Sequence, residues 1–247
     1  MKRDLHGKHI WLVGASMGIG AALARELAAR GARLTLSARS ADKLEELARD
    51  IGHGTGVIPL DVRDQQAIES AAESCGTVDG VVFLAAAYNP EKRRRRIAPE
   101  LIDLCVNVNL TGAIHLVQAV RDRLIKGSDP FLAIYASIAG YRGLPQGQPY
   151  SATKAGLINY AESLRTELHG QIDVKVINSG FVDTRITRQN EFPMPMLMEP
   201  DEAARRIADG LCRRGFEICF PKRFAYVVKA LQFLPYGLFF LLTRRLR

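Results

Sequence analysis

His9-Ile10-Trp11-Leu12-Val13 runs directly into Gly14-Ala15-Ser16-Met17-Gly18-Ile19-Gly20, and an alanine-rich stretch follows to Arg30. The first five residues suit a buried strand. Ile19–Arg30 has helical spacing and is stopped by Gly31, as a glycine past a helix C-terminus does. The three glycines between them have separate physical roles. Gly14 can make the tight turn, Gly18 lets the backbone approach an anion, and Gly20 lets the helix pack closely on the strand. Free N–H groups and the helix dipole then favour a negative group, such as a pyrophosphate, at the helix start. A plain glycine-rich turn is the alternative. The position after the first strand, and a second unit of the same kind downstream, favour a dinucleotide. The spacing is Gly-x-x-x-Gly-x-Gly, not the more general Gly-x-Gly-x-x-Gly.

Working outward, the pattern of apolar run, turn and amphipathic stretch repeats. Further strands are expected at Arg33–Ala38, Gly56–Leu60, Gly80–Ala86, Phe131–Ala136, Asp173–Ile177 and Phe216–Phe220. Helices are expected at Ala41–Asp50, Gln65–Ser74, Pro99–Arg123 and Tyr150–His169. Gly80–Ala86 is almost wholly apolar, as a parallel strand covered on both faces should be. This alternation predicts an α/β fold, a Rossmann-type doubly wound parallel sheet of seven strands. One domain spans 1–222, and 223–247 is an apolar, basic C-terminal extension.

The end of the second strand bears on which dinucleotide is bound. An NAD site places a carboxylate there for the ribose hydroxyls. Here the residues are Ser37-Ala38-Arg39-Ser40, with no acid and a guanidinium suited to a 2′-phosphate. NADP(H) is therefore expected over NAD(H), with an exposed loop arginine as the plain alternative. Further on, Tyr150-Ser151-Ala152-Thr153-Lys154 places a phenol and an ammonium one helical turn apart. A neighbouring ammonium draws a phenol down from its reference of about 10 towards neutral, giving a proton donor and acceptor for a carbonyl or alcohol oxygen. Such a pair can also be a solvated surface pair. The glycine turn, and Ser137 upstream of Tyr150, argue against that.

Composition excludes several classes. The 247 residues are 47% apolar and 24% charged, enough for a substantial core. Cys75, Cys105, Cys212 and Cys219 lack metal or disulfide spacing, and the five histidines form no ligand pair, so no metal is expected and the thiols read as reduced. No secretory signal opens the chain, which fits a cytoplasmic protein. The net charge of +8 is concentrated at the end. After Glu217 there is no acid, while Lys222, Arg223, Lys229, Arg244, Arg245 and Arg247 are basic, leaving +2 for the first 221 residues. No stacking aromatics interleave with this charge in a recognisable module, so nucleic-acid binding ranks last. Arg93-Arg94-Arg95-Arg96 reads as a solvated surface or as an anion-binding rim for lipid headgroups or an acidic substrate.

With these motifs in place, the chain resembles the short-chain dehydrogenase/reductase family over roughly residues 5–222. The glycine turn looks like that family's Thr-Gly-x-x-x-Gly-x-Gly, with Val13 where threonine is usual. Asp61-Val62 resembles the pair beside the adenine. Asn109 resembles the asparagine that holds a proton-relay water, and Ser137 stands thirteen residues before Tyr150 like the family's catalytic serine. Asn178-Ser179-Gly180-Phe181-Val182-Asp183-Thr184 is similar to the Asn-Pro-Gly segment over the nicotinamide. Phe83-Leu84-Ala85-Ala86 departs from Asn-Asn-Ala-Gly, and Ser179 replaces a proline.

The resemblance implies hydride transfer at a ketone or secondary alcohol. Asn109, Ser137, Tyr150 and Lys154 would be catalytic. The cofactor contacts would be Gly14, Ser16, Met17, Gly18, Ile19, Gly20, Arg39, Ser40, Asp61, Val62, Ala85, Ala86, Gly180, Val182 and Thr184, with Tyr150 and Lys154. It also implies a dimer or tetramer. An NAD-linked dehydrogenase, or a dinucleotide-sensing regulator or scaffold without turnover, are the competing functions.

Residues 184–200 are expected to form a substrate lid. Phe192, Met194 and Met196 make it adaptable and apolar, which suits a small hydrophobic substrate such as a lipid-derived one, with a loop that merely packs on the domain as the plain alternative. Tyr141 and Ser137 are expected on the facing wall. Phe224–Leu242 is nearly all apolar, broken by Lys229, Gln232, Pro235 and Gly237. Two short helices in the headgroup region of a membrane are one reading, which would make the protein peripheral at an inner membrane face. An arm packed on a sister subunit is another, and a true span a third.

Overall fold

The structure, a computed structural model, describes residues 2–52, 54–88, 97–145, 147–190 and 193–244. Strand β1 (His9–Val13) lies inside the sheet, flanked by β2 (Arg33–Ser37) and β4 (Gly80–Phe83). With β3 (Gly56–Val57), β5 (Phe131–Tyr135), β6 (Asp173–Ser179) and β7 (Glu217–Phe220) they form one parallel seven-stranded sheet in the order β3-β2-β1-β4-β5-β6-β7. The strand order reverses between β1 and β4. At such a reversal the connections leave in opposite directions and open a crevice beyond the strands' carboxyl ends.

Helices cover both faces. On one side, α1 (Gly18–Ala29), α2 (Ala41–Ile51) and α7 (Pro200–Cys212) bury Leu23, Leu27, Leu44 and Ile207 against Ile10, Leu12 and Leu36. On the other, α3 (Gln65–Cys75), α5 (Gly112–Leu124) and α6 (Tyr150–Glu167) bury Ile68, Leu116, Val120 and Leu157 around Trp11, Val81 and Phe83. The Asp64 side chain accepts from the Ala67 N–H at 3.0 Å and so caps α3.

Three boundaries differ from expectation. β3 is only two residues long, an edge strand whose open side takes Pro59 without loss, since Ile58 and Leu60 on either side still bond to the Leu36 and Ala38 carbonyls. β4 ends at Phe83 because the next residues climb over the glycine turn: a Cβ on Gly14 would stand 2.5 Å from the Ala85 nitrogen. The helical run Pro99–Leu124 is not uniform. It comprises α4 (Pro99–Cys105), a wide turn bonded five residues apart over Val106–Thr111, and α5. This run is long and apolar enough to cross a membrane, yet its apolar face is core, with Val108, Leu116, Val117 and Leu124 buried.

Helix α7 has no counterpart among the expected elements. Its signals are nevertheless present: Pro200 in the first turn, then Asp201 and Glu202 at the positive end of the helix dipole. The extension forms α8 (Lys222–Ala230) and α9 (Tyr236–Thr243), separated by Pro235. At nine and eight residues, neither reaches the roughly 20 that a membrane span requires.

Candidate active site

The crevice at the strand reversal holds a cleft of about 480 Å³. Its floor is the turn from β1 to α1, where Gly14, Ser16, Met17, Gly18, Ile19 and Gly20 all line the surface. Two glycines there are sterically required. Gly14 has φ +97° and meets the Leu84–Ala85 backbone, and a Cβ on Gly20 would lie 2.1 Å from the Gly14 carbonyl oxygen. A bare backbone cradle at a helix N-terminus therefore faces the cleft, which fits a pyrophosphate.

At the end of β2, Arg39 and Ser40 line the same cleft, joined by Lys43 from the first turn of α2. Lys43 was not among the expected contacts, although its place one turn beyond Arg39 was readable from the sequence. Asp61 and Val62 line the side wall. Asp61 accepts from the Arg63 guanidinium at 2.6 Å, and those hydrogen bonds hold its carboxyl below the usual carboxylate range. Ala85, Ala86, Gly180, Val182 and Thr184 close the far end, beside Tyr150.

Tyr150 opens α6 and faces the cleft from its first turn. Ser137 follows β5; its hydroxyl accepts from the Ala139 N–H at 3.1 Å and donates to the Ser179 carbonyl at 3.3 Å. Lys154 lies one turn beyond Tyr150, fully buried, and does not line the cleft. Its Nζ donates to the Tyr135 carbonyl at 2.7 Å and sits 5.5 Å from the centre of the Tyr150 ring. The Tyr135 hydroxyl in turn is hydrogen-bonded to Ser179, the residue in place of the family's proline.

The expectation that the ammonium draws Tyr150 towards neutral needs correction. Burial raises the Tyr150 pKa, Tyr135 adds to the rise, and the Ser137 hydroxyl opposes it. Burial likewise lowers the Lys154 amine to about 7. For both groups desolvation is the largest influence.

Asn109 stands in the wide turn with both polar atoms of its side chain hydrogen-bonded. Its Oδ1 accepts from the Ala87 N–H at 2.7 Å, and its Nδ2 donates to the Ala87 carbonyl at 3.0 Å and Thr153 Oγ1 at 3.1 Å. The amide therefore ties the chain after β4 to α6. The chain it ties carries Tyr88, which sequence reasoning missed. Tyr88 lines the cleft, meets the Tyr150 ring edge-on at 5.0 Å, and donates to Asn190 Oδ1 at 2.7 Å.

The substrate-side expectations fare differently. Tyr141 is turned away from the cleft: it is buried and donates to Glu217 Oε1 at 2.6 Å, because Ala225 and Val228 of α8 cover its ring. Met194 and Met196 do not line the cleft either. Met194 Sδ accepts from Asn190 Nδ2 at 3.6 Å, and Met196 is half exposed. The loop instead presents Arg185, Ile186, Thr187 and Gln189, because Met198 returns to pair with Val182 and closes the segment early. Phe192 and Arg93–Arg96 lie outside the described residues. Among the described residues no group of His, Cys, Asp or Glu is arranged to hold a metal.

Comparison with known proteins bears on this arrangement. Residues 8–193 match the family model described as short chain dehydrogenase. An uncharacterized oxidoreductase of Myxococcus xanthus is 35% identical over 245 residues, covering 96% of each chain. A 3-dehydrosphinganine reductase of Arabidopsis thaliana is 28% identical, covering 88% of this chain and 72% of that protein. The 3-oxoacyl-(acyl-carrier-protein) reductase FabG of Escherichia coli is 32% identical, covering 75% and 78%. A solved structure described as a short chain dehydrogenase/reductase family protein superposes with a TM-score of 0.76 at 25% identity, covering 83% of this chain and 90% of that one.

Proposed function

The chain belongs to the short-chain dehydrogenase family, oxidoreductases that use a nicotinamide cofactor, and from that premise we propose that it is an NADP(H)-dependent reductase of a hydrophobic ketone. The observation that carries the reading is the sharing of one cleft: Tyr150 stands at one end and the Gly14–Gly20 cradle, with Arg39 and Lys43 beyond it, at the other. The cradle would hold the pyrophosphate, Arg39 and Lys43 the 2′-phosphate, and Gly180, Val182 and Thr184 the nicotinamide side. When bound, the nicotinamide supplies the hydride for a carbonyl carbon or accepts it from a carbinol.

The protein's part is positioning and proton transfer. Tyr150 gives its proton to the carbonyl oxygen, and its raised pKa keeps that proton available at neutral pH. Ser137 can turn its hydroxyl from the Ser179 carbonyl to the substrate oxygen and steady the developing charge. Lys154, in the fraction that carries a proton, lowers the cost of the phenolate left behind. Tyr88, Leu104, Val108 and Ile186 give the reacting end an apolar lining. The names of two relatives, denoting a 3-dehydro and a 3-oxo compound, support a ketone as the substrate class.

The test is NADPH oxidation against a panel of hydrophobic 3-ketones, with Tyr150→Phe alongside. Loss of one general acid is expected to lower turnover at least about a hundredfold, while the Kd for NADPH, read by fluorescence quenching, stays within about twofold because the cradle is untouched. Equal turnover in the variant would remove Tyr150 from the chemistry. Tight NADPH binding with no turnover on any ketone would favour the sensor or scaffold reading instead.

A further inference from the structure

Among the described residues, thirteen large apolar side chains are exposed, and eight of them fall within residues 226–242. Helix α9 is the extreme case. Its sequence, Tyr-Gly-Leu-Phe-Phe-Leu-Leu-Thr, is apolar on every side, yet only Phe239 and Thr243 are buried. Helices of that composition are normally covered. Tyr236, Phe240 and Leu241 are instead more than half exposed, and Phe233 just before them is 87% exposed. Helix α8 is similar: Ala225 and Val228 pack inward, while Tyr226 and Val227 face out beside exposed Lys222 and Arg223.

The charge around this surface selects its cover. Lys222, Arg223 and Arg244 are exposed, and no acid follows Glu217. Glu217 itself is engaged by Lys229, Tyr141 and Asn178. A two-fold contact between copies sets the same patch on itself, so it would bring these cations together with no carboxylate to pair them. A bilayer bearing anionic headgroups meets both requirements, with hydrocarbon for the apolar face and phosphates for the basic rim. The aromatic rings of Tyr226, Phe233 and Tyr236 suit the boundary between headgroup and acyl chain.

The surface is also held firmly enough to act as a unit. The Arg142 guanidinium lies 4.7 Å from the Tyr236 ring centre and 4.4 Å from that of Phe239, and donates to the carbonyls of Gln232 and Leu234. Helix α8 packs on Ile138 and Tyr141, in the turn that follows Ser137. We propose that α8 and α9 form a docking surface for an anionic phospholipid bilayer, lying in its interface beside the substrate wall.

Co-sedimentation of the full chain with phosphatidylcholine vesicles, with and without phosphatidylglycerol, tests this. Binding to the mixed vesicles is expected to be at least about tenfold tighter than to the neutral ones. The double variant Phe240→Asp/Leu241→Asp should lose at least about tenfold in binding to the mixed vesicles, since both exposed side chains would insert. Its circular dichroism spectrum and Tm should stay close to the parent's, because both side chains are more than half exposed and the ring contacts of Phe240 are to Tyr236 and Phe239 of its own helix. Arg223→Glu/Arg244→Glu should abolish the preference for the anionic vesicles. A parent chain that binds mixed vesicles no better than the aspartate variant overturns the proposal. If that variant also converts a dimer to a monomer on gel filtration, the cover is a second copy of the chain.

Discussion

Tyr150 and Lys154 are one helical turn apart, and that spacing alone would suggest a phenol softened by a neighbouring cation. Burial changes the outcome: the phenol is harder to ionise than usual and the amine easier to deprotonate. The residue-scale consequence is a phenol that keeps its proton at neutral pH, as the proposed reductase would need. Arg39 and Lys43 stand at the other end of the cleft, where Arg39 also bears on the Asp61 carboxyl. If they read a 2′-phosphate, reversing the charge should reverse the preference. Arg39→Asp is expected to shift the ratio of kcat/KM for NADPH over NADH by at least about tenfold, ~1.4 kcal/mol. Steady-state kinetics with both cofactors measures it. An unchanged ratio in Arg39→Asp and in Lys43→Asp would place the discrimination elsewhere.

At the scale of elements, one carboxylate fastens the extension to the sheet. Glu217, at the start of β7, accepts from Tyr141 at 2.6 Å and from Asn178 Nδ2 at 2.7 Å, and pairs with Lys229 of α8. Hydrogen bonding from these three holds its carboxyl below the ordinary range even though burial pushes it up. Glu217→Gln keeps the shape but removes the charge that two donors and an ammonium share. A loss of about 1–3 kcal/mol in urea unfolding is expected, with faster proteolysis within α8. A loss below about 0.5 kcal/mol would mean that the apolar contacts of Ala225 and Val228 suffice.

Elements were unevenly legible in the sequence, and the reasons are physical. β1 and the glycine turn were readable because strand, turn and helix each carry a distinct local pattern. Helix α7 follows a loop whose methionines and prolines masked its start, though Pro200, Asp201 and Glu202 marked it. Tyr88 and the turning-away of Tyr141 were not legible at all. Tyr88 reaches Tyr150 and Asn190 from 62 and 102 residues away, and Tyr141 is covered by a helix more than 80 residues on. Such contacts are set by how chain segments are stacked, which no local pattern encodes.

For the whole molecule, buried titratable groups predict how stability follows pH. Lys154 has a folded pKa of about 7 against an ordinary 10.5. A depressed pKa contributes stability that is present above the unfolded value and lost as pH falls through the folded one. Between about pH 7 and 10.5 the unfolded chain therefore holds more protons than the folded chain at this position, and stability rises with pH. Groups raised by burial act oppositely: Cys75, at about 11 against 9.0, and Tyr135, at about 12 against 10.0, withdraw stability above roughly pH 9 and pH 10. The parent should gain stability from pH 7 to about 9 and then level off. Lys154→Met removes only the first contribution. Its Tm should exceed expectation most at pH 7, so that the parent-minus-variant difference grows more favourable to the parent as pH rises. Thermal unfolding of both proteins at pH 7, 8 and 9 reads this difference directly. A difference constant with pH would mean that Lys154 keeps its proton in the fold, and that the ammonium meets the phenol after all.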